Sequence, residues 1–188
     1  MKLIIGLMAI LLPTLCGAQS PPIKPLTIGD TVPDITITNV YNYPSSTIRL
    51  SDLKGKLVIL DFWATWCGGC VQSMPKLNAL QRRFHKNLFV LLLNNQGGKS
   101  SLEDEKKIKA FFTVFKSEEK QALVLPANLR RIDMLDTLFP HGIIPHYVWI
   151  GIKGEVIAIT SSEEITRENI KAVLKGTPIK MPIKSDRL

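Results

Sequence analysis

The sequence predicts an α/β fold: a mixed central sheet flanked by helices on both faces, with an N-terminal β-hairpin extension. Three observations carry this. Two dominantly apolar runs, at residues 56–63 and 88–94, read as strands buried on both faces. Segments with apolar residues at intervals of three and four alternate with them, as crossover helices do. Two more strand patterns meet at Lys153-Gly154, a hairpin signal, and a last helix follows.

The elements follow in chain order. Met1-Lys2, an apolar run over residues 3–12 and Cys16-Gly17-Ala18 before Gln19 make a secretory signal peptide over residues 1–18, cleaved after Ala18. Its apolar run falls short of the roughly 20 residues a membrane-spanning helix needs. The expected destination is therefore exported and periplasmic. An uncleaved signal or a lipid on Cys16 would instead anchor the protein to the membrane. Residues 19–30 form a Pro-rich lead (Pro21, Pro22, Pro25), residues 31–178 the domain, and residues 179–188 a C-terminal tail.

Within the domain, residues 35–38 and 47–50 alternate like paired strands. The 56–63 strand is followed by a helix with apolar Met74, Leu77, Leu80 and Phe84, which Pro75 should bend. After the 88–94 strand, residues 103–116 read as a helix entered through a Ser100-to-Glu103 capping box. Residues 123–125 suggest a short strand. Residues 128–139 suggest a helix carrying Leu129, Ile132, Leu135 and Leu138. Strands at 147–152 and 155–160 and a helix at 163–175, stopped by Gly176 and Pro178, complete the chain.

Composition is that of a globular protein, 45% hydrophobic and 21% charged. The net charge is +8, with basic pairs at Arg82-Arg83, Lys106-Lys107 and Arg130-Arg131. No aromatics interleave with them, so they read as solvated helix surface and not as a nucleic-acid face. The charge is compatible with peripheral association with anionic membranes.

Once the signal is removed, Cys67 and Cys70 are the cysteines that remain. Exported proteins sit where disulfides persist. Residues three apart at a helix start have Cα atoms about 5 Å apart, within the roughly 4.4–6.8 Å that a disulfide tolerates. As a staple the bridge is weak, since closing four residues restrains the unfolded chain by only about 2 kcal/mol. As chemistry it is well placed. A helix N-terminus favours an anion, and cysteine pKa values there fall from about 8.5 into the ~3.5–7.5 range. Cys67 is thus the expected attacking thiolate. Cys70, one turn further in, is the more buried partner that resolves a mixed disulfide. A zinc site needs about four ligands, and His85, His141 and His146 are far from the pair and lack ligand spacing; no metal is expected.

The stretch Asp61-Phe-Trp-Ala-Thr-Trp66-Cys67-Gly-Gly-Cys70 with Met74-Pro75, the lead-in 50–56 and the later Gly142-Ile-Ile-Pro145 together resemble the thioredoxin superfamily. Within it, they resemble the exported TlpA/ResA-type thiol-disulfide oxidoreductases. The resemblance implies a thioredoxin-like fold with Cys67 as nucleophile, Cys70 as resolving cysteine and Asp61 as proton shuttle for Cys70. A carboxyl in an apolar strand should have a raised pKa, although a buried acid satisfied by hydrogen bonds alone is the alternative. The resemblance further implies a cis Ile144–Pro145 bond beside the disulfide, and substrate binding by Trp66, Ile144 and Pro145. Trp63 is expected in the core. Three positions depart from the family pattern: Gly69 for proline, Ser73 for an acid, and His146 for threonine. Gly69 should give a more oxidising pair, Ser73 leaves Asp61 alone in its role, and His146 is expected on the surface.

The implied activity is exchange of disulfides with thiol- or disulfide-bearing client proteins. No G-x-G-x-x-G fingerprint is present and no cofactor is expected, so electrons would come from an upstream membrane thiol donor. The alternatives on the same fold are a peroxiredoxin-like thiol peroxidase, a copper chaperone and a redox-inactive binding module. Peroxiredoxins resembling this chain carry proline and threonine just before the cysteine, where Ala64, Thr65 and Trp66 stand here. Copper chaperones use C-x-x-x-C.

Overall fold

A computed structural model describes residues 23–95, 103–118 and 122–184. The signal segment, Cys16 and the Ser100 end of the predicted capping box lie outside the described residues. The strands are β1 (Thr36–Thr38), β2 (Val40–Tyr41), β3 (Thr47–Arg49), β4 (Leu57–Phe62), β5 (Leu88–Leu93), β6 (Ala127–Asn128), β7 (His146–Ile150) and β8 (Val156–Thr160). The helices are α1 (Gly68–Arg83), α2 (Glu105–Glu118), α3 (Asp133–Leu138) and α4 (Arg167–Leu174), with 3-10 turns at Leu50–Leu53 and Ser162–Glu164.

Six strands form the central sheet in the order β2-β6-β5-β4-β7-β8. The pairs β4/β5 and β5/β6 are parallel, and β4/β7, β7/β8 and β2/β6 are antiparallel. The apolar runs of β4 and β5 occupy its centre, with every residue buried, because side chains alternate to two covered faces. Leu57, Ile59 and Trp63 join Met74 and Leu77 of α1, Ile108 and Phe112 of α2 and Ile170 of α4 in one core layer. Val58, Leu60 and Phe62 join Leu135 and Leu138 of α3 in the other. The second layer is closed by the antiparallel β1–β3 ribbon, whose central pair is Ile37 and Ile48. The mixed sheet with helices on both faces is therefore as the sequence predicts.

Four elements differ from the sequence reading, each for a local reason. Residues 123–125 form no strand, because side chains satisfy their backbone. Asn42 Nδ2 donates to the carbonyls of Leu123 and Leu125 at 3.0 and 2.9 Å, and the Val124 amide donates to Asn78 Oδ1 at 2.8 Å. The ladder is made two residues later, where Ala127 and Asn128 pair with Tyr41 and Val40. That pairing removes Asn128 from the predicted 128–139 helix, and α3 starts at Asp133. The closing helix starts at Arg167 and not at residue 163, because the Thr166 hydroxyl caps it by accepting from the Asn169 amide at 3.1 Å. Finally, Glu103 does not cap α2. Asp104 does so, its Oδ1 accepting from the Lys107 amide at 2.7 Å.

Candidate active site

The parallel strands β4, β5 and β6 end at one edge of the sheet, where β7 begins. The register of Phe62 with both Leu93 and His146 fixes that alignment. Ligand and catalytic sites of α/β sheets collect at such carboxyl ends. Here the chain leaves β4 after the Trp63 amide donates to the Leu93 carbonyl at 3.0 Å. It turns through residues 64–67, the Cys67 amide donating to the Ala64 carbonyl at 3.1 Å, and enters α1.

Cys67 is the N-cap of that helix, and Cys67 and Cys70 form a disulfide with Cα atoms 5.3 Å apart. The spacing fits the ~5 Å that one helical turn dictates. The Cys70 amide donates to Cys67 Sγ at 3.2 Å, so the sulfur already occupies the acceptor position of a helix N-terminus. Cys67 is 6% exposed and Cys70 is fully buried, so an incoming group reaches Cys67 first. Pro145 lies against this loop, its Cδ 3.7 Å from where a Cβ on Gly69 would sit. The Ile144–Pro145 peptide is cis. Ile144 is partly buried and packs against both core layers. Trp66 is 59% exposed, whereas Trp63 is fully buried.

Asp61 is buried on β4 between Ile59 and Trp63, so its carboxyl faces the layer that holds both cysteines. Among the described residues neither of its oxygens has a hydrogen-bond partner. Burial alone pushes its pKa well above the ordinary carboxyl range. Its cross-strand partner is Tyr147, also fully buried. Burial, and then the nearby Asp61, raise the Tyr147 phenol above its usual value.

His146 is not on the surface. As the first residue of β7 it points to the face opposite Tyr147, 1% exposed. Its ring stacks on His141 at 4.7 Å and meets Phe62 edge-on at 5.5 Å. The two histidines, 5 positions apart in sequence, are thus packed together behind the sheet, a juxtaposition that residue spacing did not reveal. Glu103 was also missed as a site residue. Its carboxylate accepts from the Thr65 amide and hydroxyl and from Asn94 Nδ2, and none of these partners lies within one helical turn of it.

The model of the AhpC/TSA family matches residues 28–124, a span that contains β4, the cysteine loop and α1. The chain belongs to the AhpC/TSA family. Among curated proteins this family member is 32% identical over 149 residues to the thiol-disulfide oxidoreductase ResA of Geobacillus kaustophilus, covering 79% of this chain and 77% of that one. It is also 39% identical over 83 residues to the thioredoxin-like protein YneN of Bacillus subtilis, covering 44% and 45% of the two chains. Among solved structures it superposes on a candidate thiol:disulfide interchange protein DsbE from Chlorobium tepidum. The TM-score is 0.57 at 26% identity, over 79% of this chain and 99% of that one. The thioredoxin domain of a thiol-disulfide oxidoreductase from Bacteroides vulgatus gives 0.55 at 21% identity, over 80% and 97%. The fold is thioredoxin-like.

Proposed function

We propose that this protein, a thiol-disulfide oxidoreductase, works on the exported side of a membrane and reduces disulfides in client proteins through Cys67 and Cys70. The observation that carries the reading is the CxxC disulfide at the start of α1, with Cys67 as N-cap under the Cys70 amide and Cys70 sealed behind it. The signal-like residues 1–18 support export. Among the described residues no helix is long and apolar enough to cross a membrane.

In the reduced protein the Cys67 thiolate attacks one sulfur of a client disulfide. The new S–S bond joins enzyme and client, and the client's second sulfur leaves as a thiolate. Cys70 then gives its proton to the Asp61 carboxylate and attacks Cys67 Sγ. The enzyme disulfide forms and the client's first sulfur also leaves as a thiolate. With one proton returned by Asp61 and one taken from water, the client departs as a dithiol, reduced by two electrons. A buried carboxyl with a raised pKa suits this transfer, because its proton affinity approaches that of a thiol. Trp66, whose indole is exposed beside Cys67 in the chain, and the Ile144–Pro145 edge against the cysteine loop bind the client chain. An upstream membrane thiol donor returns two electrons to the pair. The basic surface favours contact with an anionic membrane.

Insulin-disulfide reduction driven by a thiol donor tests the activity. Trapping with Cys70→Ser tests the roles, since that variant should accumulate client mixed disulfides on Cys67. Failure of wild type to reduce insulin, with peroxide consumed instead, would move the protein to the peroxidase reading.

A further inference from the structure

We propose that Glu103 is a positioning residue for disulfide exchange, holding the Ala64–Cys67 turn so that Trp66 and the Cys67 sulfur face a client protein together. The inference rests on the reading of Cys67 as nucleophile. Its basis is a convergence of hydrogen bonds that neither the sheet nor α1 supplies. After the Trp63 amide meets Leu93, the chain leaves the ladder, and Thr65 is held from the side by Glu103. The Thr65 amide donates to Glu103 Oε2 at 2.8 Å, and the Thr65 hydroxyl donates to Oε1. Two bonds from one residue to the two oxygens of one carboxylate fix direction as well as distance.

The anchor is itself fixed. The Glu103 side chain is 2% exposed. Asn94, just past the end of β5, donates to Oε2 at 2.9 Å, and Lys107 Nζ lies 2.9 Å from Oε1. Asn94 is tied in turn, its amide donating to Asn128 Oδ1 at 2.7 Å. Glu103 therefore joins the ends of β4 and β5 to the entrance of α2. Burial works against its charge, but the donors from Thr65, Asn94 and Lys107 outweigh it and hold the carboxyl below the ordinary range. Capping α2 does not explain this residue, because Asp104 already takes the Lys107 amide. What Glu103 holds is the turn whose two central residues are Thr65 and Trp66, and whose last residue is Cys67.

The experiment measures reduced wild type, Glu103→Gln, Thr65→Ala and their double variant against insulin and against a small symmetric aromatic disulfide. Lys109→Met, which breaks a half-exposed pair with Glu105 on the same helix and does not touch Glu103, is the control. Gln keeps the shape but turns one acceptor oxygen into a donor facing Thr65. Glu103→Gln should lose about tenfold in kcat/KM for insulin, about 1.4 kcal/mol, mainly through KM. The small disulfide, which needs no client surface, should change by less than about twofold. Thr65→Ala should fall in the same direction, and the double variant should lose no more than the worse single one. Lys109→Met should stay within about twofold for both substrates. Insulin kinetics unchanged in Glu103→Gln, or an equal loss against both disulfides, would overturn the proposal. If Glu103→Gln does not fold, an unchanged insulin KM in Thr65→Ala overturns it alone. Failure of the exchange reading is separate and visible, because wild type itself would then leave insulin intact.

Discussion

Replacing Asp61 with asparagine asks whether a buried carboxyl titrates beneath the redox pair. Asp61 is fully buried and unpartnered among the described residues, and burial raises its pKa well above the ordinary value. In the unfolded chain the same carboxyl ionises near ~3.9. Below that pH both states are protonated and the full contribution to stability is present. Between ~3.9 and the folded-state pKa, the unfolded chain has lost a proton that the folded protein keeps. Stability then falls as pH rises, by about 1.4 kcal/mol per pH unit. Above the folded pKa both states are ionised and the difference is constant. Asp61→Asn removes this titration at nearly constant volume, and the disulfide keeps both cysteines from titrating in the oxidised protein. Urea unfolding of the two oxidised proteins from about pH 4 to about pH 8 provides the assay. Wild-type stability relative to the variant should slope down by about 1.4 kcal/mol per unit and then level off. The pH of levelling reports the folded-state pKa. Parallel stability curves for the two proteins would refute the reasoning.

Two further predictions concern the loop and the core. Gly69→Pro should make the pair more reducing, because proline restricts the open loop and a first-turn position tolerates it. A rigidification of roughly 0.4–1 kcal/mol corresponds to about 10–20 mV. Equilibration with a glutathione redox buffer measures it, and an unchanged or raised potential sinks the idea. In the core, Trp149 Nε1 donates to Thr160 Oγ1 at 3.0 Å with both residues fully buried. Thr160→Val leaves that N–H without an acceptor and should cost about 1–3 kcal/mol, lowering the melting temperature by several degrees; an unchanged melting temperature would show that the bond contributes nothing.

How much of this was legible depended on how local each signal was. The β4 and β5 runs announce themselves, because strands buried on both faces are apolar at nearly every position, with Asp61 the one charged exception in β4. The cysteine pair was equally plain, since its spacing and its place after a strand both lie within one short stretch. The two-residue strands β2 and β6 were not, because their pairing depends on contacts across more than eighty residues, and Asn42 and Asn78 disguise the segment before β6. His146 looked like a surface residue until its register with Phe62 turned it inward. Glu103 looked like a helix cap because its real partner, Thr65, lies 38 positions earlier. Short periodicities survive in sequence, whereas side chains that tie one strand end to another become visible only in three dimensions.

The most direct measurement is the pH dependence of alkylation of the reduced protein by iodoacetamide, with the modified cysteine identified by mass. A thiolate seated at the N-cap of α1 should make Cys67 react along a curve with its midpoint well below the ~8.5 of a free thiol, while buried Cys70 stays protected. A midpoint at ~8.5 for Cys67, or equal labelling of the two cysteines, would contradict the account.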